Sequence, residues 1–68
     1  MTRVPVVSSN LKSVGYENGI LEIEFHSGGI YRYLHTTEML FNALISASSK
    51  GQYFDRNIKN KYTFQKIR

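Results

Sequence analysis

Apolar and polar residues alternate most cleanly from Ile20 to Phe25, where Leu21, Ile23 and Phe25 face one way and Glu22 and Glu24 the other. A period of two marks a strand buried on one side. Asn18-Gly19, just before it, is a hairpin signal, because both residues tolerate the positive φ of a type I′ turn. That turn pairs this strand with another from about Leu11 to Glu17, setting Tyr16 opposite Leu21 and Val14 opposite Ile23. A third strand follows His26-Ser27-Gly28-Gly29, where a slip of one residue would exchange the faces. A three-residue loop, Ser27 to Gly29 with Gly29 left-handed, pairs Phe25 with Tyr31, Ile23 with Tyr33 and Glu24 with Arg32. A two-residue loop would bury Arg32 unpaired beside Phe25 and Ile23, at a cost of several kcal/mol. The three-residue loop is therefore expected. It turns the rings of Tyr31 and Tyr33 inward, which favours core packing over a platform on which bases stack.

The period then lengthens to that of a helix. Leu40, Ala43, Leu44 and Ala47 share one face, with Phe41 and Ile45 widening the stripe, and Glu38, Asn42, Ser46 and Ser49 lie opposite. Thr36 or Thr37 suits the N-cap, Glu38 the first turn, and Gly51 the stop. A short second helix from Tyr53 to about Asn60 and a closing strand from Tyr62 to Ile67 complete the chain. Residues 1–10, with Pro5 and Ser8-Ser9-Asn10, read as an N-terminal arm, and residues 11–68 as a single domain. The expected fold is α+β: a small antiparallel β-meander of three or four strands packed against one main helix, with the short second helix beside it.

Composition narrows the function. A chain of 68 residues makes one domain with a thin core, burying roughly 60% of its unfolded surface. It has no cysteine, so disulfides, thiolate ligands and thiol nucleophiles are excluded together, and a reducing, cytoplasmic setting is expected. The longest candidate for an apolar run, Met39 to Ile45, is interrupted by Asn42 and is far short of the roughly 20 residues that span a bilayer, and the N-terminus has too little apolar length for a signal peptide. No membrane partner is expected. The two histidines, His26 and His35, fall at opposite ends of the third strand, too few and too far apart for a metal site. No serine sits in a nucleophile elbow, and Gly28-Gly29 lacks the lysine of a phosphate loop. The expectation is a module with no catalytic activity, no cofactor and no metal.

Charge changes the picture more than composition. Residues 1–49 carry a net charge of −1, whereas residues 50–68 carry +5, with Asp55 the one acid among six bases. This basic stretch interleaves cations with aromatic rings, as phosphate contact and base stacking require. The candidate nucleic-acid-binding residues are Lys50, Tyr53, Arg56, Lys59, Lys61, Lys66 and Arg68, with Arg32 exposed on the outer face of the sheet. Against this stands a bland reading, in which Tyr53, Phe54, Ile58 and Tyr62 are core and the lysines merely solvate the surface around them.

From residue 8 to residue 68 the chain resembles the KTSC domain family. The resemblance rests on Ser8-Ser9, Gly15-Tyr16, Leu21-x-Ile23-x-Phe25, Gly29, Tyr31-Arg32-Tyr33, the run Ala47 to Phe54, then Ile58-Lys59 and Tyr62. Order and spacing carry it more than any one piece. Thr36-Thr37 stands where the family commonly opens its helix with Val-Pro. The family takes its name from the C-terminus of some lysyl-tRNA synthetases and also occurs as small free-standing bacterial and phage proteins. This domain company implies RNA as a partner. The competing expectation is a protein–protein interaction module, a homodimer, or a small phage-type inhibitor of a host protein or nucleoprotein complex, for which an apolar patch of Met39, Phe41 and Ile45 in solvent would be the sign.

Overall fold

A computed structural model describes residues 1–68. Strands β1 (Val4–Pro5), β2 (Leu11–Glu17), β3 (Ile20–Phe25), β4 (Ile30–Tyr33) and β5 (Phe64–Lys66) form one antiparallel sheet in chain order. Helices α1 (Glu38–Ser46) and α2 (Lys50–Asn57) lie between β4 and β5 along the chain. The α+β class holds, with five strands in place of three or four. The extra strand is β1, whose two residues are too few to show alternation. Its proline fits the sheet edge, where no N–H is needed.

Asn18 and Gly19 have φ of 50° and 81°, and the hairpin they close has the expected register, Tyr16 opposite Leu21 and Val14 opposite Ile23. The next turn differs from the expectation by two residues in register. Its loop is His26 to Gly28, closed by a bond from the Phe25 N–H to the Gly29 carbonyl (2.9 Å). Gly28, not Gly29, takes the positive φ, at 104°. Tyr31 therefore faces Ile23, Tyr33 faces Leu21, and Arg32 faces Glu22 instead of Glu24. A shift of two residues preserves which side chains point inward. Gly29 joins the paired backbone, where a Cβ would stand 3.1 Å from the Tyr31 ring.

Thr37 caps α1, its hydroxyl accepting from the Leu40 N–H at 3.1 Å. Gly51 does not stop this helix. The chain leaves α1 at Ala47, and Gly51 is the second residue of α2, which begins and ends about one turn before the expected bounds. Gly51 instead answers a close approach, because a Cβ there would lie 3.3 Å from the Asn10 amide. Leu44 of α1 and Phe54 of α2, with Ile58 just beyond it, meet Leu11, Val14, Leu21, Ile23 and Tyr33 in the core. Burial of these side chains stabilises the fold by roughly 1.5–3 kcal/mol each before entropy is counted.

The opposite face of the sheet is not bare. The arm crosses it, and Arg3 donates through Nε to the Ser13 hydroxyl (3.0 Å) and pairs with Glu22. Arg32 donates to the other oxygen of Glu22 at 2.7 Å, so this carboxylate is almost wholly buried between two guanidinium groups. Burial works to raise the Glu22 pKa, but hydrogen bonds from Arg32 and Arg3, with their charges, bring it below the ordinary carboxylate value. Glu24 accepts from the Ser13 hydroxyl at 2.9 Å, and that bond, against some desolvation and with the charges of Lys12, Arg3 and Arg68, lowers its pKa too. Gly15 makes this crossing feasible, because a Cβ there would come within 2.6 Å of the Thr2 carbonyl oxygen. Gly15→Ala is expected to lift the arm and lower stability by about 1–2 kcal/mol. The check is urea unfolding, as a lower midpoint at unchanged m.

Candidate nucleic-acid interface

The inner face of the sheet is unevenly covered. Helix α1 packs over β2, and Phe54 of α2 meets Phe25 and Tyr33 edge-on at ring-centre distances of 5.3 and 5.6 Å. Beyond Phe54 the flank formed by β4 and β5 stays open. Because β5 pairs Phe64 with Tyr33 and Lys66 with Tyr31, alternation puts Phe64 and Lys66 on the same face as both tyrosines. Phe64 lies 5.7 Å from each tyrosine ring, and the two tyrosines stack on one another at 6.4 Å. Lys66 Nζ sits 5.9 Å from the centre of the Tyr31 ring, a cation–π contact.

The two tyrosines have different fates. Tyr33 is buried, and burial, with a smaller contribution from neighbouring Tyr31, pushes its hydroxyl up to about 12. Tyr31 is only half-buried, and Phe64 is 51% exposed, which leaves apolar ring surface open to a ligand. Between this flank and the turn after α2 lies a cleft of about 340 Å³, floored by Phe25, Phe54 and Tyr33 and walled by Tyr31 and Phe64. Lys59, Asn60 and Ser27 supply its polar rim. The turn is fixed by bonds from the Ile58 and Lys59 N–H groups to the Phe54 carbonyl and by Asn60 in the left-handed region, φ 63°.

Of the residues expected from sequence, Lys59 thus lines the cleft and Lys66 lies over the Tyr31 ring. The others are dispersed. Tyr53 and Arg56 line a separate groove along α2, and Tyr53 and Tyr62 pack partly against the core. Lys50 donates to the Ala47 carbonyl at 2.9 Å, tying off the end of α1. Lys61 is exposed, Arg32 is held by Glu22, and Arg68 lies 3.8 Å from Glu24. The cleft residues Phe25, Phe54, Phe64, Ser27 and Asn60 were not among the candidates. The available signal was Phe64-x-Lys66, an alternation matching Tyr31-x-Tyr33, but only the pairing of β5 with β4 brings the two together. Met39 is 80% exposed, whereas Phe41 and Ile45 pack against the core and Phe41 stacks near Tyr16. No group of three His, Cys, Asp or Glu side chains is placed to hold a metal ion, and no helix is long and apolar enough to cross a membrane.

Residues 7–62 match the family model described as the KTSC domain. A KTSC domain protein from Yersinia pestis has a crystal structure that superposes with a TM-score of 0.95 at 43% identity, over 98% of this chain and 97% of that one. An uncharacterized protein of Stutzerimonas stutzeri is 42% identical over 64 residues, covering 91% of this chain and 90% of its own length. A lysine–tRNA ligase of Nostoc punctiforme is 38% identical over 61 residues, covering 87% of this chain but 11% of the ligase.

Proposed function

The chain belongs to the KTSC domain family, and on that premise we propose that it is a non-catalytic module that binds single-stranded nucleic acid, RNA in particular. The observation that carries the reading is the open aromatic flank of Tyr31 and Phe64 with Lys59 and Lys66 beside it. Rings offer stacking surface to any base, and lysines neutralise phosphates. Sequence selectivity is low, because hardly any side chain at the cleft presents a paired donor and acceptor to a base edge. The occurrence of a similar segment within a protein named for joining lysine to tRNA adds support for RNA. The protein-docking alternative draws less, because Met39 stands in solvent without Phe41 and Ile45 beside it. A cytoplasmic setting accords with an RNA partner and with a chain free of cysteine.

The test is a fluorescence-polarisation titration of labelled single-stranded RNA, a tRNA-like hairpin and duplex DNA across salt concentrations. The expected result is saturable binding, strongest to unpaired RNA and weakened by salt. In a Lys59→Glu/Lys66→Glu variant, affinity is expected to fall at least about tenfold. The slope of log K against log salt should flatten by about 1.4, since each phosphate left without its lysine removes about 0.7. No binding to any of the three at low salt would sink the proposal.

A further inference from the structure

The aromatic cleft does not stand alone. A second, polar cleft of about 300 Å³ adjoins it, and Phe25, Phe54, Ser27 and Lys59 line both. The remaining walls of the second cleft include His26, Asp55 and Asn10. Lys59 therefore stands at the boundary between a compartment of rings and a compartment of polar groups. Its ammonium is free of any ion pair, although Asp55 lies one helical turn before it. Each volume is at the lower limit for small-ligand sites, so neither compartment suits a large ligand.

We infer that the two clefts together form a receptor for one nucleotide unit, its base among Tyr31, Phe64 and Phe25 and its phosphate beside Lys59 and Ser27. This rests on the nucleic-acid reading of the same site and deepens it. A base is a flat apolar body with polar edges, which fits ring walls rimmed by Ser27 and Asn60. A phosphate needs a cation and hydroxyl donors, which Lys59 and Ser27 supply. One ring nitrogen of His26 is already engaged, since its Nε2–H donates to the Ser8 carbonyl at 2.9 Å. Asp55 opposes a phosphate by charge, so it limits affinity. The strand-binding surface thereby gains a unit of recognition, a single unstacked nucleotide.

The experiment is an NMR titration of the intact protein with adenosine 5′-monophosphate, adenosine and ribose 5-phosphate, alongside the oligonucleotide titration above. The monophosphate is expected to shift amide signals of Ser27, Tyr31, Lys59 and Phe64 together. Adenosine should perturb the ring compartment alone and bind about tenfold more weakly. Lys59→Glu should abolish the phosphate's contribution, and Phe64→Ser, at a half-exposed position, should weaken both adenosine and its monophosphate while leaving the fold intact. Asp55→Asn should tighten the monophosphate by about two- to fivefold and leave adenosine unchanged. If oligonucleotides bind but the monophosphate shifts no cleft signal at millimolar concentration, the receptor is overturned while strand binding stands. If the monophosphate occupies the clefts but no oligonucleotide binds, the receptor is upheld and the strand-binding reading falls.

Discussion

Phe54→Ala is expected to leave the protein largely unfolded near room temperature. Phe54 is buried, reaches Phe25 and Tyr33 edge-on, and is the side chain by which α2 holds the sheet. Truncating a buried phenylalanine costs about 3–5 kcal/mol in lost transfer free energy and residual cavity. A chain of 68 residues has a total stability of about 3–10 kcal/mol. The loss is thus of the same order as the whole. Where folding persists, the thermal midpoint should fall by about 20 °C. Circular dichroism melts check this, with Phe64→Ala as the comparison, because a side chain already half in solvent should cost under about 1 kcal/mol. A Phe54→Ala protein that melts within a few degrees of the parent would mean that α2 is held by something other than this ring.

Glu22→Gln is expected to lower stability at neutral pH by about 2 kcal/mol and to remove part of the acid sensitivity of the fold. The carboxylate sits between Arg3 and Arg32, and loss of its charge leaves Arg32 without its anion and Arg3 with Glu24 alone, 3.7 Å away. Both arginines keep contact with solvent, so the cost stays below that of breaking a fully buried pair. The pH dependence follows from the lowered pKa of Glu22 in the fold. Where the folded form holds its proton less tightly than the unfolded chain, the stabilisation is complete above the unfolded value, 4.5. It is lost as pH falls through the lower, folded value. The parent should therefore destabilise more steeply than Glu22→Gln below about pH 4.5, and the gap between them should narrow with acid. Residual acid sensitivity in the variant belongs in part to Glu24, whose pKa is also lowered. Parallel stability curves for the two proteins between pH 6 and pH 3 would refute this account of the outer face.

The parts of the fold legible in the sequence are those that neighbouring residues decide. Asn18-Gly19 closes its hairpin in the expected register because the positive φ of both residues is a local preference. Thr37 caps α1 for an equally local reason. The inward set of β3 and β4 side chains was also legible, since burying Arg32 unpaired would be costly, and the two-residue shift at the next turn left that set unchanged. The choice between Gly28 and Gly29 for the left-handed position was not local. Either register sets Arg32 opposite a glutamate, and in the fold it bonds Glu22, the carboxylate that Arg3 reaches from the arm. The burial of Glu22 has the same origin, ten or more residues away in both directions.

The candidate site divides in the same way. By itself, the sequence determined that the last third is basic and aromatic, with Lys59 and Lys66 among its cations. The tertiary structure alone decided that Lys59 lines an open cleft and that Lys66 lies over the ring of Tyr31, one of its walls, while Arg32, Lys50 and Arg68 are occupied elsewhere. Charge and backbone preference reside in short stretches of chain. A shared surface requires segments far apart in sequence to dock, and here it is the return of β5 to β4 after two helices that sets Phe64 and Lys66 beside Tyr31.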